Sequence, residues 1–80
     1  METTQKIQTP ETRMAALLRG VRAEAGFKQA ELGALIGAEL KIAPVGQMTI
    51  SRWEAKGTVP GCYLGAIARV CRVDVERLLV

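Results

Sequence analysis

Histidine is absent from the 80 residues of this chain. The commonest general base and metal ligand at neutral pH is therefore missing. Cysteine occurs twice, as Cys62 and Cys71, nine positions apart. On one helix that spacing sets the two thiols on opposite faces, about 13 Å apart along the axis. A disulfide needs Cα atoms within about 7 Å, so the two do not pair. Neither has an evident base partner or metal-ligand spacing. No glycine-rich phosphate loop occurs among the eight glycines. Catalysis, a metal and a cofactor are accordingly not expected, and the chain is not read as an enzyme. Aromatics number three, Phe27, Trp53 and Tyr63, whereas single-strand nucleic-acid binders usually carry several on the surface. The longest stretch without charge, Gly57 to Ala68, is 12 residues and contains Pro60. It is too short and too broken to span about 30 Å of hydrocarbon. The opening Met-Glu-Thr-Thr-Gln-Lys offers no apolar region for a signal peptide. Free thiols with no such signal give a cytoplasmic expectation. Strand-like alternation, internal repeats and low-complexity tracts are absent as well.

What is present suits one small domain. Apolar residues make up 49% of the chain, enough for a core, although at this size only about 60–65% of the unfolded surface can be buried. The net charge is +3. That mild excess suits a nucleic-acid partner without establishing one.

The periodicity predicts an all-α, compact five-helix domain over residues 10–80, behind a flexible polar arm at residues 1–9. Thr9-Pro10-Glu11 combines a cap, a proline at the first helical position and a first-turn acid. Met14, Leu17, Leu18, Val21 and Ala25 follow at helical spacing, and Gly26 is the expected stop. Helix 2 opens near Lys28, with Leu32, Leu35 and Ile36 inward. Gly37 either ends it, or the helix runs on through Leu40 and Lys41. The longer helix is favoured because Leu40 continues the Leu32/Ile36 stripe. Ala43 must be extended, since it precedes Pro44. Helix 3 spans Gln47 to about Lys56, and Gly57 to Gly61 is a loop with turn chemistry. Helix 4 runs from about Cys62 to Cys71, with Leu64, Ile67, Ala68 and Cys71 inward. Asp74 is the expected cap of a last short helix, Val75 to Leu79.

Helix 3 carries the functional signal. Its periodicity turns Ile50 and Trp53 inward and leaves Gln47, Met48, Ser51 and Arg52 outward. Apolar anchors behind and hydrogen-bonding side chains in front let a helix enter a DNA major groove. Arg52 is the leading base reader, because arginine pairs bidentately with guanine; the blander alternative is a phosphate contact or a solvated side chain. Gln47 suits adenine, and Met48 suits a thymine methyl group. Thr49 is read as a phosphate ligand or a half-buried residue. Lys28, Lys56 and Thr58 lie at the edges of this face, either as phosphate contacts or as ordinary solvated surface.

Taken in order, Arg22, Gln29-Ala30-Glu31-Leu32, Ile50-Ser51-Arg52-Trp53-Glu54, Pro60, Leu64, Ile67-Ala68 and Leu78-Leu79 resemble the Cro and lambda-repressor type of helix-turn-helix domain. This is the phage and bacterial regulator family often called XRE. The resemblance covers about residues 13–79. It implies that Gln29, at the start of helix 2, contacts a backbone phosphate. It also implies that Arg22 and Glu54 form a structural salt bridge between helices 1 and 3. Three departures stand out. Residues 38–44, from Ala38 to Pro44, are additional and lengthen helix 2 or its turn. Lys28 replaces the usual Ser or Thr cap. Gly57 comes one residue late.

These readings point to a sequence-specific regulator of double-stranded DNA, a small repressor that excludes polymerase from an operator. One such domain reads few base pairs, so a homodimer on a palindrome is expected. Its interface is placed at the apolar carboxyl end, on Val75, Leu78, Leu79 and Val80. Within DNA binding, the rival is an antitoxin that also holds a toxin protein. Outside it, the rival is a protein-interaction module that has lost DNA binding; that module's helix 3 would turn acidic or apolar outward.

Overall fold

The computed structural model describes residues 10–79. The arm expected over residues 1–9, its Thr9 cap, and Val80 lie outside the described residues. Four α-helices follow one another: α1 (Pro10–Ala25), α2 (Gln29–Leu40), α3 (Gln47–Lys56) and α4 (Gly61–Cys71). A single 3-10 turn, Val75–Leu78, closes the chain. Among the described residues there is no strand, and no helix is long and apolar enough to cross a membrane.

The fifth helix expected at Val75–Leu79 is thus a correction. The segment is held by i→i−3 bonds, Arg77 N to Asp74 O at 3.0 Å and Leu79 N to Glu76 O at 3.2 Å. Four residues are too few to build an α-helical ladder, whose nucleation fixes several residues for each first bond. The Asp74 side chain makes no capping hydrogen bond.

Helix ends follow from backbone chemistry. After α1, Gly26 takes φ +80°, with Gly26 N bonded to Ala23 O at 3.0 Å and Phe27 N to Arg22 O at 3.2 Å. This is the Schellman pattern, which satisfies the last carbonyls of the helix. The same pair of bonds ends α2 at Lys41 and α4 at Arg72, but there non-glycine residues sit at φ 59° and 60°. At the start of α2, Lys28 caps with its backbone alone, because an ammonium group cannot accept a hydrogen bond. Glu31 answers by accepting from Lys28 N at 2.7 Å.

Residues 38–44, additional only by the resemblance, divide between helix and loop. Ala38 to Leu40 continue α2, and the chain then doubles back over two buried glycines. Ile42 N donates to Gly37 O at 2.9 Å and Val45 N to Gly33 O at 3.0 Å. A Cβ on Gly37 would lie 2.7 Å from Pro44 Cα, and one on Gly33 would overlap the Val45 carbonyl. Gly33 and Gly37, one turn apart, therefore form the bed on which the returning segment lies. That bed sets where α3 begins.

Leu18, Leu32, Ile36, Ile50, Ile67 and Leu78 are fully buried and join all four helices and the final turn into one core. The Trp53 and Tyr63 rings meet at 5.0 Å between centroids, tilted 45°, within the range of favourable aromatic pairs. Both cysteines are free thiols, Cys62 exposed and Cys71 buried. Burial raises the Cys71 thiol above its ordinary pKa.

Candidate nucleic-acid interface

At 100° per residue, Gln47, Ser51, Ala55, Met48 and Arg52 fall within an arc about 140° wide on α3. All five are exposed, Met48 to 75%. Ile50 and Trp53 point to the other side and Glu54 lies at the Gln47 edge of the arc, none of the three more than 5% exposed. Thr49 is half-buried at the boundary. Lys56 in the last turn of α3 and Thr58 in the following loop are exposed, as is Lys28 before α2. Gly46 precedes α3 with no side chain to cap it.

Beneath this face lies one polar cluster. Glu54 is 3% exposed, an expensive place for a carboxylate unless its lone pairs are used. Both of its oxygens are engaged. Arg22 Nε donates to Oε2, and Arg22 Nη2 donates to Oε1 at 3.0 Å. Arg22 Nη1 also donates to the Phe27 carbonyl at 2.8 Å. One guanidinium thus ties the end of α1 to the linker and to α3. The hydrogen bond with Glu54 raises the Arg22 pKa above its ordinary value, against the opposing effect of burial. Gln29, the first residue of α2 and half-buried, donates Nε2 to Glu54 Oε1 at 3.1 Å. Arg22, Gln29 and Glu54 therefore form one unit reaching across three helices.

The sequence reading did not anticipate the Gln29–Glu54 bond. It also missed Ala55 on the outward arc, although helical spacing alone places it there. The carboxyl end needs a correction. Leu78, expected at a dimer surface, is fully buried in the chain's own core, where the final turn packs on α1 and α4. Val75 and Leu79 remain 40% and 56% exposed.

A concavity of about 650 Å³ opens between α2 and α4, lined by Phe27, Leu35, Val70 and Cys71 among others. Arg69 and Glu39, both lining residues, pair at its edge. Leu35 sits about 200° around α2 from Gly33, so this groove lies on the side away from the returning loop. Among the described residues no cluster of three metal-ligating side chains occurs. Comparison of the chain with protein-family models, curated proteins and solved structures finds no match.

Proposed function

We propose that this chain is a sequence-specific duplex-DNA-binding regulator of the Cro and lambda-repressor type, acting without catalysis as a small cytoplasmic repressor. The observation that carries the reading is the outward arc of α3. Gln47, Ser51 and Arg52 stand exposed beside Met48 on a helix whose other side is locked into the core. Arg52 and Gln47 supply bidentate donors for guanine and adenine edges, and Met48 supplies an apolar contact for thymine. Gln29, Lys28, Lys56 and Thr58 border the arc in the role of phosphate contacts, which set register without reading bases. An operator occupied in this way is closed to polymerase.

A second copy completes the site, because one recognition helix reads too few base pairs for selectivity. Val75 and Leu79, exposed on the final turn, support a two-fold interface there. Two recognition helices enter successive major grooves on one face of B-DNA when they lie about 34 Å apart.

Titration of duplex DNA over a range of salt tests the reading. Binding should weaken as salt rises, with a logarithmic slope of about −0.9 per phosphate contacted. Leu79→Glu should yield a folded monomer with much weaker operator binding. Absence of duplex binding at low salt would overturn the proposal.

A further inference from the structure

We propose that the groove between α2 and α4 binds a small amphiphilic carboxylate, a molecule with an apolar body and one acidic head. The site stands apart from the DNA-binding reading. Gly33 faces Val45 and Ile50, and Leu35, about 200° around α2 from it, faces the groove. A cavity of about 650 Å³ falls in the range of about 300–1,000 Å³ usual for small-molecule sites. Such sites are lined mainly by apolar side chains with a few polar groups, and this groove has that make-up. Phe27 and Val70 are half-buried, and Cys71 is the one buried residue of the lining. Leu35 is 38% exposed, although Leu32 and Ile36 on the same helix are fully buried. Its side chain is the apolar surface that an occupant would cover.

The charges in the lining set the sign of the head. Glu39, Arg69 and Arg72 are the ionic side chains there. Glu39 is paired with Arg69. Arg72 forms no ion pair or side-chain hydrogen bond among the described residues, so the groove carries one uncompensated cation. Arginine takes a carboxylate bidentately. Arg72 also stands at φ 60°, the left-handed position that Gly26 and Gly57 occupy after α1 and α3. Glycine costs least there. The dipole of α4 favours a cation near this end, but not at that strained position. Two carbonyls at each helix end, those of Gly37 and Ala38 in α2 and of Ala68 and Arg69 in α4, are held by the closing turns, which limits their repulsion of an anion. The groove is also short. It takes in Leu35 to Glu39 on α2 and Arg69 to Arg72 on α4, about one turn of each. A stable protein partner covers roughly 800 Å² per side, more than two helical turns present, so the dimensions suit a small molecule.

The probe is decanoate, kept below the concentration at which it forms micelles, with decylammonium as the charge-reversed control. An NMR titration of the free protein should show decanoate saturating one site, with shifts confined to Phe27 and the facing turns of α2 and α4. Decylammonium should bind about tenfold more weakly, the scale of one hydrogen bond to a charged group. Arg72→Gly should cost decanoate about the same factor and bring the two probes level. Its thermal midpoint should stay nearly unchanged, because glycine suits φ 60°, so the loss cannot be put down to unfolding. Leu35→Glu should abolish decanoate binding in a protein that still melts cooperatively; if it does not fold, Arg72→Gly decides. Equal binding of the two probes by the wild type overturns the site. Shifts that spread to Met48 and Leu79, exposed elsewhere on the chain, mark a detergent-like coating and overturn it too. So does a decanoate titration that never saturates. A wild type that sediments as a dimer and becomes a monomer in Leu35→Glu puts a second copy in the groove and overturns the ligand. None of these outcomes bears on duplex binding, which is measured without the probe.

Discussion

The two faces of α3 are built to different demands. Inward, Ile50, Trp53 and Glu54 are each at most 5% exposed, and the one charge among them is satisfied by Arg22 and Gln29. Outward, Gln47, Ser51 and Arg52 form no ion pair or side-chain hydrogen bond among the described residues. Met48 is left 75% exposed. A lone exposed apolar residue is ordinary; this one is set between an arginine and two polar side chains, a surface of mixed polar and apolar chemistry. Folding explains every inward residue and none of the outward ones. The difference teaches that the outward face is not needed for folding, and if it recognises DNA as proposed, substitutions on each face should separate stability from binding.

The largest effect is expected from Trp53→Ala. It removes an indole packed against Tyr63 and should cost about 3–5 kcal/mol, the usual range for a buried aromatic truncated to Ala. Thermal melts will measure it, and a small loss would mean that the inner face does not anchor α3. Gly33→Ala should come next, at roughly 1–3 kcal/mol, since the new methyl group displaces the Val45 carbonyl from a packed site. Denaturant midpoints will show this; unchanged stability would place the returning loop elsewhere. Arg52→Ala should do the reverse of Trp53→Ala. Stability should stay within about 0.5 kcal/mol, while specific binding falls by roughly 1–3 kcal/mol with relaxed preference at one base pair. Equal binding to matched and substituted duplexes by both proteins would remove Arg52 from the reading face.

The smallest effect concerns an ion pair in full solvent, a contrast to the buried one behind α3. The Arg77 guanidinium, 2.9–3.0 Å from the Glu24 carboxylate, holds that carboxyl below its ordinary 4.5. A depressed folded pKa means the pair stabilises above the unfolded value and is lost as pH falls through the folded one. Glu24→Gln should therefore lower stability slightly at neutrality and not at all at low pH, which flattens the acid limb of the stability profile below pH 4.5. Superimposable acid limbs would show that the pair adds nothing.

The α-helical elements were legible because each has ten or more residues, long enough for the 3.6-residue period to register. Gly26 and Gly57 marked stops that the structure places at the same residues. Leu40 settled the end of α2 in favour of the longer helix. The carboxyl end was not legible. Over four residues, i+3 and i+4 spacing cannot be told apart, and the burial of Leu78 depends on α1 and α4 meeting it from far along the chain. The bed at Gly33 and Gly37 was hidden for a related reason. A glycine pair one turn apart signals that something comes close, without naming Val45 and Pro44 as what arrives. The Gln29–Glu54 bond joins residues 25 apart in sequence, beyond the reach of any local pattern.

The central claim is that the outward face of α3 reads duplex sequence, and selection of bound fragments from random double-stranded DNA tests it most directly. The account predicts enrichment of an inverted repeat with half-site centres about 10 base pairs apart, with one or two base pairs of drift from the lengthened helix 2. It also predicts that Arg52→Ala loses preference at one position in each half-site. A selected pool indistinguishable from its input would contradict it.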